Sequence, residues 1–148
     1  MQNFILFLIL FQDPQKTGVY KADESLIYSP ECVVMEFQDI PSYVDRVYND
    51  PWFKSRYPRA HKPVVIKSDL VDVAYSTGNK IAFPQKVTNV AILHEIAHQL
   101  TGNNGHGPNF ARHHVDLVWR FMGLKSANML RDLYIDLHVN WRVKPNGQ

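Results

Sequence analysis

The sequence of 148 residues contains a single cysteine, Cys32. One thiol cannot form an internal disulfide bond, and it cannot supply a thiolate zinc site, which needs several cysteine ligands. An apolar core must therefore hold the domain together. The scarcity of cysteine also favours a reducing, cytoplasmic environment.

The chain also lacks an excess of charge of either sign. Sixteen Lys and Arg residues stand against fourteen Asp and Glu residues, which gives a net charge of +2. This charge is too small to indicate a polyanionic partner by itself. Hydrophobic residues make up 45% of the sequence and charged residues 20%, which is typical of a globular protein. We expect a single domain over residues 13–148.

No apolar run is long enough to cross a membrane. The longest, residues 4–11, contains eight apolar residues, whereas a membrane-spanning helix needs roughly 20. A secretory signal would also need a positively charged start and small residues at a cleavage site, and neither precedes Asp13. We expect residues 1–12 to be an apolar leader or a first buried strand, and we expect no membrane partner.

Cap and turn signals divide the remaining chain into a strand-rich part and a helical part. Asp13-Pro14 predicts an N-cap and the first position of a helix that ends near Leu26. Asp50-Pro51 is expected to end a second helix. We predict strands at residues 32–37, 63–66, 71–75 and 80–83, of which the last two form a hairpin around the turn Ser76-Thr77-Gly78-Asn79. Later helices are predicted at 87–100, 109–122 and 127–138, with Gly123 and Ser126 marking the break between the last two. The predicted fold class is α+β, with a short, mostly antiparallel sheet before a helical half.

One helix of the second half carries a metal-binding pattern. His94 and His98 are four residues apart, so both imidazoles project from one face and can chelate one ion. Glu95 lies about 100° further round the helix. It is badly placed to join the same ligand set, but it can reach a water bound to the metal, as a general base must.

A catalytic zinc site needs a third protein ligand and one open position. A downstream glutamate is excluded because no Glu follows Glu95, and position 104, six residues after His98, is Asn. His106 follows in the segment Gly105-His106-Gly107-Pro108, where glycines permit a sharp reversal of the chain. His106 is therefore the predicted third ligand, and Asp116 remains an alternative.

The segment HEIAH followed by GHGPNF resembles SprT-like zinc metallopeptidases, over residues 91 to about 121. A broader resemblance, through Asp13-Pro14-Gln15, Val19-Tyr20 and residues 81–84, is to small metallohydrolase-like proteins of actinobacteria and their phages. The resemblance implies a zincin-like fold, with His94, His98 and His106 as Zn²⁺ ligands and Glu95 as the base. The zinc ribbon and DNA-binding tail of larger SprT-like proteins have no counterpart in these residues, so their DNA-linked role is not expected.

The predicted activity is hydrolysis of peptide bonds in a peptide or protein substrate. In the zincin resemblance the strand before the metal helix forms the edge of the cleft. We therefore expect an extended substrate to pair with Lys80, Ile81, Ala82 and Phe83. The residue that stabilises the oxyanion is left open among Tyr75, Arg112, His114 and Tyr134.

Two alternative functions remain. The metal could stabilise a non-catalytic binding domain, although such a site has no need of a base at Glu95. Residues 52–62 interleave aromatic and basic side chains, as surfaces that bind nucleic acid often do, but a solvated loop is the more common origin of such a run. His114 shares a helical stripe with Phe110 and Leu117, so we expect a core histidine there.

Overall fold

The structure is a computed structural model that describes residues 13–102 and 105–142. Residues 1–12, predicted to be a leader or a first strand, lie outside the described residues. Within the described ranges the chain is α+β, as predicted, with six α-helices and five short strands. The helices are α1 (Lys16–Leu26), α2 (Ile40–Asn49), α3 (Pro51–Arg56), α4 (Asn89–Thr101), α5 (Pro108–Phe121) and α6 (Leu124–Asp136); the strands are β1 (Val34–Glu36), β2 (Val64–Lys67), β3 (Tyr75–Thr77), β4 (Lys80–Phe83) and β5 (Lys86–Thr88).

The described residues form two compact units. Residues 31–102 form one of them, which we call the inserted unit, and residues 13–30 and 105–142 form the helical unit. All five strands belong to the inserted unit, together with α2, α3 and α4. The described part of the helical unit contains α1, α5 and α6.

The strands of the inserted unit form two small sheets. One has the order β2-β4-β3, in which β2 and β4 run parallel and β3 and β4 form the predicted antiparallel hairpin. The other pairs β1 with β5, antiparallel. The sequence therefore predicted the hairpin correctly, but the strands form a mixed sheet and a separate two-stranded ladder rather than a single sheet.

Capping residues define both ends of helix α4. Thr88 is its N-cap, and the Thr88 hydroxyl accepts a hydrogen bond from the Ala91 N–H at 3.2 Å. Gly102 ends it in the left-handed region, with φ at 75°, which glycine adopts without steric cost. Every residue of α4 from position 92 to position 98 is buried. A helix that is buried all round belongs to the core, so its polar side chains need a specific reason to be there.

The helical unit packs α1 against α6 and α6 against α5. The apolar residues at helical spacing on α1, Val19, Ala22 and Leu26, are buried as the sequence predicts. Gly18 permits a close approach, because a Cβ atom added there would lie 2.6 Å from Cγ2 of Val139. At the junction of α5 and α6, Gly123 has φ at 113°, which confirms the predicted break.

One local prediction was incomplete and two were wrong. Asp50-Pro51 ends α2, as predicted, but it also starts α3, because the Asp50 carboxylate accepts from the Phe53 N–H at 3.1 Å and proline suits the first turn. The predicted strand at residues 71–75 contains an irregular segment with Val71 exposed, and only Tyr75–Thr77 pairs. Residue 87, predicted to start a helix, lies in β5 instead, because Val87 faces the core and pairs with Met35.

Over the described ranges, none of the helices has the length and apolar character that crossing a bilayer requires.

Candidate metal centre

Helix α4 carries the three polar side chains of the predicted metal-binding pattern, and all three are buried. His94 is 3% exposed, Glu95 6% and His98 7%. Burying imidazole and carboxylate groups is costly unless they are paired, hydrogen-bonded or bound to a metal. Their placement in an otherwise apolar helix therefore marks a site rather than ordinary core packing.

The two imidazoles of α4 face each other through their outer nitrogens. Nε2 of His94 lies 3.2 Å from Nε2 of His98, and the ring centroids are 4.9 Å apart. In a tetrahedral zinc site, metal–nitrogen bonds of about 2.0–2.1 Å place two ligand nitrogens about 3.3–3.4 Å apart. The observed separation is thus close to one edge of such a tetrahedron.

Glu95 is on the same helix but at a different angle. One residue along an α-helix corresponds to a rotation of about 100°, so its carboxylate diverges from the two imidazoles while staying within one turn of them. This agrees with a carboxylate that acts on a bound water rather than one that completes the ligand set.

His106 is held by residues from the beginning of the described chain. The Asp13 carboxylate accepts two hydrogen bonds from it, one from the His106 backbone N–H at 3.0 Å and one from ring Nδ1 at 2.7 Å. The Gln15 side-chain amide donates to the His106 carbonyl at 2.8 Å. With Nδ1–H donated to a carboxylate, the neutral ring presents the lone pair of Nε2, which is the arrangement found at metal-bound histidines.

Packing fixes the plane of the His106 ring as well. The Tyr20 ring lies 5.2 Å from it and the Phe110 ring 4.8 Å, measured between centroids. The His106 side chain is 3% exposed and that of Asp13 is 15% exposed. The orientation of this imidazole is therefore set both by hydrogen bonds and by contacts on its faces.

Five described side chains could each offer a ligand atom to a metal ion. They are the buried His94 and His98 in the inserted unit, and the buried His106 and His114 with the partly exposed Asp23 in the helical unit. Asp116, the alternative third ligand, accepts from Nε of Arg112 at 3.3 Å.

His114 is a core histidine, as predicted. It is fully buried, and its Nδ1 lies 3.0 Å from the Tyr134 hydroxyl and 3.7 Å from an oxygen of Asp23. Burial raises the pKa of Asp23 to about 6, against the opposing effect of the nearby His114 and His106 rings. Burial likewise raises the pKa of Tyr134, so its hydroxyl remains protonated at neutral pH.

The predicted substrate strand needs a correction. β4 is the central strand of its sheet, with β2 on one side and β3 on the other. Lys80, Ile81, Ala82 and Phe83 are all in register with residues of β2, and the first three with residues of β3 as well. An added strand needs free backbone groups at a sheet edge, so Lys80, Ile81 and Ala82 cannot receive an extended substrate without losing a neighbouring strand.

The four candidates for stabilising an oxyanion all have side-chain partners. The Tyr75 hydroxyl donates to Asp69 at 2.9 Å, and this hydrogen bond raises the pKa of Tyr75. Arg112 contacts Asp116, while His114 and Tyr134 contact each other. These contacts do not single out any of the four, so the assignment stays open.

Sequence reasoning missed the residues that support His106. Asp13 was interpreted as an N-cap, but α1 begins at Lys16 after Gln15, and the Asp13 carboxylate binds His106 instead. Gln15, Tyr20 and Asp23 were not singled out for any role at the site. They precede His106 by more than 80 residues, and no spacing rule connects positions so far apart.

No protein-family model, curated protein or solved structure was found to match the chain.

Proposed function

We propose that this protein is a zinc-dependent hydrolase, and more specifically a metallopeptidase in which His94, His98 and His106 bind zinc and Glu95 is the general base. The observation that carries the proposal is the 3.2 Å separation between Nε2 of His94 and Nε2 of His98 on a buried helix. That distance fits two nitrogens on one tetrahedral ion.

The chemistry of the donor set favours zinc. Imidazole nitrogen suits zinc and other late first-row metals, whereas calcium and magnesium prefer oxygen ligands. Three imidazoles leave one of four tetrahedral positions open, which is the ligand count of catalytic rather than structural zinc sites. When bound, zinc would act as a Lewis acid and would lower the pKa of its water ligand to about 7.

The side chains around the metal have separate roles. Glu95 accepts the proton of the attacking water and can return it to the leaving amine, which is the general acid–base role in peptide hydrolysis. Asp13 keeps His106 in the tautomer with Nε2 unprotonated and holds its ring in place. Burial of all these groups limits access of bulk water and strengthens their electrostatic interactions.

The resemblance of residues 91–121 to SprT-like metallopeptidases supports peptide bonds as the substrate class, and with it a zincin-like fold. The single cysteine supports a cytoplasmic location. The alternative of a zinc-stabilised binding domain shares the ligands but leaves Glu95 without a role.

A cleavage assay tests the proposal. Zinc-loaded protein is incubated with a mixture of peptides and unfolded proteins, and products are identified by mass spectrometry, with a chelator-treated sample and Glu95→Gln as controls. Products that need both zinc and Glu95 support the peptidase. Zinc uptake with increased thermal stability but without cleavage of any substrate selects the non-catalytic domain.

A further inference from the structure

A pocket of about 430 Å³ lies within the inserted unit, beside the C-terminal end of α4. This volume is in the range typical of sites for small ligands, about 300–1,000 Å³. Its walls come from α2, from the segment after α3, from the turn between β3 and β4, and from α4; they include Tyr48, Tyr57, Arg59, His61, Asn79 and Gln99.

The pocket lies along the face of α4 that carries Glu95, the proposed base. Gln99 follows Glu95 by four residues, so the two side chains are neighbours one turn apart on α4. The Gln99 amide donates to the Gly78 carbonyl at 3.0 Å and to the Ser76 hydroxyl. These bonds fix the hairpin turn to the helix, so the wall shared with α4 is rigid.

The pocket is positively charged. Arg59 and His61 line it, and no acidic residue occurs between positions 51 and 68. Three other cations of this segment are already engaged: Arg56 lies over the Tyr57 ring, Lys62 pairs with Asp45, and Lys67 bonds to Gln85. Lys54 does not line this pocket. Within the described ranges, neither Arg59 nor His61 has an ion-pair or hydrogen-bond partner.

We propose that this pocket binds a carboxylate of the substrate, either an Asp or Glu side chain or the C-terminal carboxylate, through the guanidinium of Arg59. The inference rests on the proposed peptidase function and names its substrate preference. A guanidinium matches a carboxylate in two-point geometry. One carboxylate needs only one such guanidinium, whereas a nucleic-acid strand needs a continuous track of free cations.

The test uses zinc-loaded protein and paired fluorogenic peptides. Members of a pair differ by Glu against Gln at one position, scanned along both sides of the cleaved bond, or by a free against an amidated C-terminus. We expect the parent to prefer the charged member at one position, or the free C-terminus, by about tenfold or more in kcat/KM. Arg59→Gln should reduce that preference, and neutral peptides should be cleaved as before.

Lys54→Gln is the matched control, because it removes one positive charge from the same segment but not from this pocket. An equal loss in Lys54→Gln and Arg59→Gln would indicate a diffuse surface charge and overturn the proposal. Cleavage of peptides by the parent with no preference for either carboxylate would overturn it while leaving the peptidase intact.

If no peptide is cleaved, the peptidase proposal fails. The pocket is then tested by calorimetry, which measures how tightly each peptide of a pair binds to the zinc-loaded protein. Tighter binding of the carboxylate-bearing peptide, lost in Arg59→Gln but kept in Lys54→Gln, supports it, and equal binding of the two peptides overturns it. Binding of a single-stranded oligonucleotide that depends on Arg59 and displaces the peptide also overturns it, in favour of nucleic acid.

Discussion

Asp13→Asn is the substitution that most sharply tests how His106 is prepared for a metal. The carboxylate now accepts from both the backbone N–H and Nδ1 of His106, at 3.0 and 2.7 Å. An asparagine has one acceptor oxygen, so its NH₂ group must face one of these two donors. If the oxygen stays on the backbone N–H, the NH₂ group favours the tautomer with Nδ1 unprotonated and Nε2 protonated, which cannot bind zinc.

The size of the effect follows from the role of such supporting residues. Loss of the carboxylate partner of a metal-bound histidine typically lowers metal affinity about 10–100-fold, which corresponds to about 1.4–2.7 kcal/mol. The apoprotein should also lose stability, because a hydrogen bond to a charged group contributes about 1.5–3 kcal/mol. Zinc affinity is measured by competition with a chromophoric chelator, and apoprotein stability by urea unfolding.

Asp45→Asn is the control for charge, because it removes a carboxylate from an exposed ion pair with Lys62. It should leave zinc affinity unchanged, since exposed pairs contribute little. If Asp13→Asn binds zinc as tightly as the parent and Asp45→Asn, then His106 is either not a ligand or not oriented by Asp13, and the reasoning is refuted.

Four further substitutions separate the roles of the remaining residues. Glu95→Gln should keep zinc content and melting temperature near the parent while turnover falls about 10²–10⁴-fold; unchanged turnover would remove Glu95 from the mechanism. His106→Ala should lose zinc affinity and activity together, whereas His114→Ala should lower stability and still bind zinc at low temperature; the reverse pattern, read by elemental analysis, would show that His106 is not the third ligand. Thr88→Ala removes the N-cap of α4 and should cost about 1 kcal/mol in urea unfolding with zinc stoichiometry kept; no loss of stability would show that the cap is dispensable.

The helices could be predicted because their signals are local. Helices α1, α2 and α5 could be predicted from apolar residues at helical spacing, and the break before α6 could be predicted from Gly123. The hairpin between β3 and β4 was marked by the turn around Gly78. The pair His94 and His98 needed only the four-residue spacing that places two side chains on one helix face.

What could not be predicted depends on pairing between distant segments. The position of β4 at the centre of its sheet requires the parallel partner β2, which no local signal reveals. β5 is too short to show alternation, and its strand character comes from its partner β1. The link between Asp13 and His106 spans 93 residues, and a single sequence carries no information about such a pair.

X-ray absorption spectroscopy at the zinc edge tests the central claim most directly, because it counts the imidazoles around the bound ion. For the zinc-loaded parent we expect one zinc per chain with three imidazole nitrogens at about 2.0–2.1 Å and one further light ligand in the open position. The same measurement on His106→Ala should find two imidazoles. A parent that takes up no zinc, or an ion with the same number of imidazoles in both proteins, would contradict the three-histidine site.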